Sequence, residues 1–178
     1  ALLLVLVPRH PERFQGAARL CRKRGFAVAL RSRTPGPLPI GTEVLVGDTM
    51  GELQRLYAAA DLAFIGGSLV RHGGQNLLEA CAVEVPVVFG PHMFHFEEIS
   101  AMALERGAAR QVHDAPGLAD AVALYLDQPD LRRAAGRAAH TLVTDNRGAL
   151  TRTLALVEDA LRRGGLTATE AALDASTR

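Results

Sequence analysis

The chain has 178 residues, 48% of them hydrophobic, and a formal net charge of +1. That length fits one domain of ordinary size with a sizeable core. A balance this close to neutral argues against a general polyanion binder, and no nucleic-acid partner is expected.

In chain order, the pattern alternates between apolar runs and amphipathic stretches. Leu2–Val7 is a short apolar run that suits a buried parallel strand. Pro11–Arg24 is predicted as a helix, with Phe14, Ala17, Ala18 and Cys21 on its apolar side and Gly25 as its stop. Phe26–Leu30 is a second strand, Arg31–Gly41 a loop rich in proline and glycine, and Glu43–Val46 a third strand. Thr49-Met-Gly-Glu52 has the spacing of a capping box ahead of a helix over Glu52–Ala59. Leu62–Ile65, Pro86–Phe89 and Ala108–Val112 are further strands, with helices at Gly74–Val83 and Phe94–Arg106 between them. Pro116–Leu126, Pro129–Val143 and Ala149–Arg163 are helical, broken near Asn146-Arg-Gly148. Residues 1–163 thus read as one domain and 164–178 as a flexible tail.

Repeated strand–helix units imply an α/β fold: a Rossmann-like parallel sheet with helices on both faces. Ligands of such folds bind at the carboxyl ends of the strands. Four loops with unusual composition fall there: Pro8-Arg-His10, Gly47–Gly51, Gly66–Gly74 and Gly90-Pro-His92. The third carries most information. Gly66-Gly-Ser-Leu-Val-Arg-His-Gly-Gly-Gln-Asn-Leu-Leu-Glu-Ala80 places two Gly-Gly pairs between a strand and a helix. Glycines let a backbone approach a phosphate, and a helix N-terminus offers free N–H groups. Asn76 and Glu79 share a helix face, where a carboxylate can accept from the two hydroxyls of a ribose. The plain alternative is a connection that binds nothing.

The cysteines, Cys21 and Cys81, sit among apolar neighbours and read as core residues of a reducing compartment rather than a disulfide or metal site. No apolar run approaches the ~18 residues of a membrane span. No secretory leader is read in Ala1–Val7, and a start inside a strand-like run without methionine reads as a domain of a longer protein.

Five blocks in order resemble the C-terminal half of the 3-deoxy-D-manno-octulosonic acid (Kdo) transferases of lipopolysaccharide synthesis. They are Val7-Pro-Arg-His-Pro-Glu-Arg-Phe14, Val46-Gly-Asp-Thr-Met-Gly-Glu-Leu53, Ala60-Asp-Leu-Ala-Phe-Ile-Gly-Gly-Ser-Leu-Val70, Gly73-Gly-Gln-Asn-Leu-Leu-Glu-Ala80 and Phe89-Gly-Pro-His92. The likeness runs from about Leu4 to Leu161. It implies the C-terminal half of a GT-B glycosyltransferase, whose donor is CMP-Kdo and whose acceptor is a lipid A precursor, lipid IVA. It further implies inverting, metal-independent transfer and no cofactor beyond the donor substrate. The catalytic base, acceptor site and membrane attachment belong to the other half, so no catalytic residue is named here. The full-length enzyme is expected at the cytoplasmic face of the bacterial inner membrane, and this piece alone is expected to be soluble and inactive.

By resemblance, CMP is held by Pro8 and Arg9, by Met50, Gly51 and Glu52, and by Asn76, Leu77, Leu78 and Glu79. A guanidinium at Arg9 matches phosphate oxygens with its forked donors. Glu52 is the weaker assignment, because capping alone explains it, and Leu77 and Leu78 suit the core or backbone contacts. Ser68, Gly73, Gly74 and His92 are candidate contacts to phosphate or to the sugar. His72, His92 and His95 lack the carboxylate or cysteine partners of a structural zinc site. His95 stands where the family often has asparagine.

Two other functions remain open at this point. One is the donor half of a transferase or epimerase that uses a UDP-sugar, separated from the first by nucleotide preference. The other is a Rossmann-like binding module without chemistry, separated by whether any nucleotide binds. A dinucleotide dehydrogenase is disfavoured, since Pro8-Arg-His10 replaces Gly-x-Gly-x-x-Gly after the first strand.

Overall fold

The structure, a computed structural model, describes residues 2–146 and 149–163. Its strands are β1 (Leu4–Leu6), β2 (Val28–Leu30), β3 (Val44–Val46), β4 (Ala63–Phe64), β5 (Val87–Phe89) and β6 (Ala109–Gln111). Its α-helices are α1 (Phe14–Lys23), α2 (Leu53–Ala58), α3 (Leu78–Cys81), α4 (Glu97–Glu105), α5 (Ala115–Asp127), α6 (Pro129–Asn146) and α7 (Ala149–Arg163).

Every strand pairing is parallel, as the alternating strand and helix order requires. The hydrogen bonds define two three-stranded sheets, in the orders β1-β3-β2 and β4-β5-β6. The single sheet expected from the sequence is therefore divided between β1 and β4, which share no ladder among the described residues. Strand β4 spends its bonds on one side: Ala63 and Ile65 donate to the carbonyls of Pro86 and Val88.

Strand β5 shows why helices cover both faces. Its side chains alternate, so Val87 and Phe89 enter one cluster and Val88 the other. The first cluster joins Ile65, Leu77 and Cys81 to Leu142 of α6. The second joins Val112 to Ala121 and Tyr125 of α5 and Ala135 of α6. Each fully buried side chain of this size contributes about 1.5–3 kcal/mol relative to exposure. In the other sheet, Leu30, Val44 and Val46 pack on Ala18 of α1.

Helix α5 begins with a side-chain cap. Asp114 accepts a hydrogen bond from the Gly117 amide at 2.8 Å, and Pro116 occupies the first turn, where a missing N–H does no harm. Glu97 and Glu98 open α4, where carboxylates suit the helix dipole. The proposed tail, 164–178, and the break at Arg147–Gly148 lie outside the described residues. Among the described residues, no helix is long and apolar enough to cross a membrane.

Candidate functional site

Parallel strands put their following loops at one end of each sheet, and contacts across the loops bring the sequence candidates together. Arg9, exposed after β1, donates through Nη1 to the side-chain Oε1 of Gln75, in the glycine-rich loop after β4. Two of the three blocks expected to hold a nucleotide thus meet directly. Gln75 was not among the sequence candidates, since a lone glutamine in a loop carries no signal of its own.

The glycine-rich loop is longer than the sequence predicted, and its helix is shorter. A helix over Gly74–Val83 is replaced by a single turn, Leu78–Cys81. The reason lies in Gly73 and Gly74, which adopt φ of +83° and +72° and cannot open a right-handed helix. Asn76 precedes the N-cap, Leu77, and closes a turn ahead of the helix: its Oδ1 accepts from the Leu78 amide at 3.0 Å. None of the hydrogen bonds among the described residues uses the amides of Gln75 or Asn76. Two successive free donors beside an arginine are chemically suited to an anion. Leu77 is fully buried, backbone included, and packs in the core, while Leu78 is half-buried. Glu79 is exposed on α3. Burial raises the pKa of the Tyr57 hydroxyl, and the nearby Glu79 carboxylate adds to that shift.

The turn after β3 differs from a capping box. Helix α2 begins at Leu53, with Glu52 at the N-cap and no side-chain capping bond. Gly51, at φ +79°, interrupts the turn between Thr49 and the helix. The Thr49 hydroxyl instead donates to the Glu52 carboxylate, and Arg31 Nη2 lies 2.9 Å from Glu52 Oε1. The Thr49 bond, then the Arg31 bond, hold the Glu52 carboxyl below its ordinary pKa. Asp48 accepts from the Ser32 amide at 2.8 Å and the Ser32 hydroxyl at 2.6 Å. Burial pushes the Asp48 carboxyl up, but the Ser32 bonds and Arg33 outweigh it and leave it lowered. The Arg31–Gly41 segment, read from sequence as a bare loop, thus anchors the turn that presents Met50. Met50 is 75% exposed, so its thioether is available to lie against a planar ring.

Ser68 has a different place from the one expected. It is fully buried, its hydroxyl donates to the Ile65 carbonyl at 2.5 Å, and it accepts from the Gly90 amide at 2.8 Å. A hydroxyl has one proton, so Ser68 has none left for a phosphate in this arrangement. Gly73 and Gly74 are buried against the loop after β5: an added Cβ would fall 2.1 Å from His95 Cδ2 and 2.3 Å from Met93 Sδ, respectively. His92 is half-buried, and its amide donates to the Ser68 carbonyl at 2.9 Å. Pro8 is half-buried beside Arg9. Among the described residues, no group of three His, Cys, Asp or Glu is placed to hold a metal. Two shallow surface depressions, one between Arg22 and Arg33 and one beside Tyr125, include no residue of these loops.

The family model of the group 1 glycosyl transferases matches residues 38–141. A solved structure, the C-terminal CMP-Kdo binding domain of WaaA from Acinetobacter baumannii, superposes with a TM-score of 0.75 at 33% identity. The match covers 80% of this chain and 74% of that one. The chain belongs to the Kdo transferase family of glycosyltransferases. Two curated relatives named 3-deoxy-D-manno-octulosonic acid transferase are each 44% identical, one from Bordetella pertussis over 157 residues and one from Haemophilus influenzae over 163. They cover 88% and 91% of this chain but only 37% and 38% of their own length. The chain therefore spans little more than a third of these Kdo transferases. The fold, parallel sheets with covering helices, is that of the C-terminal domain the five sequence blocks implied.

Proposed function

We propose that this chain is the donor-binding half of an enzyme that transfers Kdo from CMP-Kdo to a lipid A precursor, lipid IVA. The observation that carries the reading is the meeting of Arg9 with the glycine-rich loop, beside the free amides of Gln75 and Asn76. The name of the A. baumannii structure, a CMP-Kdo binding domain, supports the choice of donor.

The roles follow from chemistry. Pro8 sets the turn that carries Arg9, whose guanidinium meets the phosphate together with the Gln75 and Asn76 amides. The Glu79 carboxylate accepts from the ribose hydroxyls. Cytosine lies against Met50, its polar edge read by backbone groups at Gly51 and Glu52. The Glu52 carboxylate is already engaged by Arg31 and Thr49, so its part is to hold the turn. Leu78 contributes backbone, Leu77 packs beneath it in the core, and Gly73, Gly74 and His92 shape the sugar side.

In the transfer, the acceptor hydroxyl oxygen bonds to the anomeric carbon of Kdo while the bond from that carbon to the phosphate oxygen breaks. CMP departs with the electron pair and the anomeric centre inverts. Arg9 and the loop amides stabilise the charge gathering on the phosphate. A base on the other half of the enzyme takes the hydroxyl proton, and no metal or cofactor enters. Membrane attachment, at the cytoplasmic face of the inner membrane, belongs to that other half as well.

Isothermal titration of the chain with CMP and with UMP, repeated on Glu79→Ala, tests the reading. CMP binding in preference to UMP, weakened in the variant, is the expected result. Preference for UMP would assign the site to a UDP-sugar enzyme, and binding of neither, even with the other half present, would leave a module without a nucleotide.

A further inference from the structure

Ser68 joins two loops that follow different strands. Its hydroxyl proton goes to Ile65 at the end of its own strand, and its oxygen receives the Gly90 amide from the end of β5. Its own carbonyl receives the His92 amide at 2.9 Å. Three bonds thus converge on one residue that is fully buried. Gly90 lies so close that a Cβ there would be 2.4 Å from the Ser68 carbonyl oxygen. Further along, the Gly73 carbonyl faces the His95 amide at 3.4 Å, and Gly74 packs on Met93. The contact between the two loops therefore runs from Ser68 to Gly74, ending one residue before the free amides.

We propose that Ser68 is a positioning residue, which fastens the loop after β5 to the glycine-rich loop so that the two move as one unit. The proposal rests on the donor-site reading only for its effect on nucleotide binding. A buried hydroxyl that both donates and accepts fixes the relative height of two chains, and its removal leaves the Gly90 amide and Ile65 carbonyl unsatisfied. The loop that shapes the phosphate site would then be free to shift by the fraction of an ångström that hydrogen bonds to phosphate do not tolerate.

The test is Ser68→Ala in the 178-residue chain, compared with Leu142→Ala. Leu142 is fully buried and makes none of the three bonds that converge on Ser68, so its truncation lowers stability with those bonds left in place. Ser68→Ala should weaken CMP by about tenfold, the scale of one unsatisfied buried partner. Leu142→Ala, although destabilised, should bind CMP as the parent chain does when titrated well below its melting temperature. A folded Ser68→Ala chain with unchanged CMP affinity would overturn the proposal. Amide hydrogen exchange reads the fastening without nucleotide: in Ser68→Ala the His95 amide should exchange faster, although it makes no bond to Ser68. Unchanged exchange at His95 would equally overturn it. Should the variant not fold, exchange in the parent chain decides. Saturating CMP should then slow the amides of Gly90 and His92 together with those of Gln75 and Asn76, and slowing confined to Gln75 and Asn76 rejects the clasp. Failure to bind CMP even with the other half of the enzyme present would sink the donor-site reading and leave the His95 comparison standing.

Discussion

Arg31 reaches Glu52 at 2.9 Å, tying the segment after β2 to the turn that presents Met50. The same guanidinium donates to the Thr34 carbonyl at 2.8 Å, so it is held from two sides. A bound base would thus rest on a turn braced from behind.

Arg31→Ala should loosen this turn and move the Glu52 carboxyl back toward its ordinary pKa of 4.5. The folded value lies below that of the unfolded chain. The stabilisation is therefore complete above pH 4.5 and is lost as pH falls through the folded value. The variant should melt slightly earlier at pH 7, and its curve should converge with the parent's below pH 4.5. Thermal melts across that range check it. A gap between the two that stays constant with pH would show that the pair does not set the titration.

Two glycines of one loop should respond unequally to alanine. Gly74 has φ +72° and its Cβ would strike the buried Met93 sulfur, so Gly74→Ala should cost about 1–3 kcal/mol. Gly66 has nothing within 4 Å of a Cβ and no positive φ, so Gly66→Ala should stay within about 0.5 kcal/mol of the parent. Urea unfolding of the two variants separates them, and equal midpoints would contradict the loop conformation.

The same two properties, backbone hand and burial, mark what the sequence could and could not reveal. The strands were legible because Val44–Val46 and Val87–Phe89 are unbroken apolar runs, the mark of strands covered on both faces. The end of the sheet that carries the loops followed from their order. Helix starts were misread where a glycine takes a left-handed conformation, at Gly51 and at Gly73 and Gly74, because sequence spacing does not report the sign of φ. Ser68 looked like a ligand contact because it sits among glycines, and only its burial shows that its proton is used inside the protein. Arg31 and Gln75 were invisible for the opposite reason: their partners, Glu52 and Arg9, are 21 and 66 residues away. The strand order, with β3 between β1 and β2, has no local signature at all.

The two cysteines should differ sharply in reactivity. Burial pushes the Cys81 thiol up to about 11, and its side chain has no exposure. At pH 8 only about one part in a thousand would be thiolate, even with access. Cys21 is half-buried on α1. A colorimetric thiol assay on the native chain should therefore report one thiol promptly, with the second appearing only on unfolding. Cys21→Ser should remove the prompt signal. Two prompt thiols would mean that the core around Cys81 opens far more readily than its packing implies.

Asn76 and Glu79 are three residues apart, yet alanine at each should produce different signatures. Asn76 braces the turn ahead of α3 through the Leu78 amide, so Asn76→Ala should cost about 1 kcal/mol of stability as well as weaken CMP. Glu79 is exposed and makes no hydrogen bond among the described residues, so Glu79→Ala should leave the melting temperature nearly unchanged. If the carboxylate holds a ribose, the same variant should bind CMP about tenfold more weakly, the worth of a charge-assisted hydrogen bond. Titration with 2′,3′-dideoxycytidine 5′-monophosphate sharpens the assignment. Removal of both hydroxyls should cost the parent chain its advantage over Glu79→Ala, because the carboxylate then has nothing to accept from. An advantage that persists with the dideoxy nucleotide would show that Glu79 aids binding otherwise than through the ribose hydroxyls.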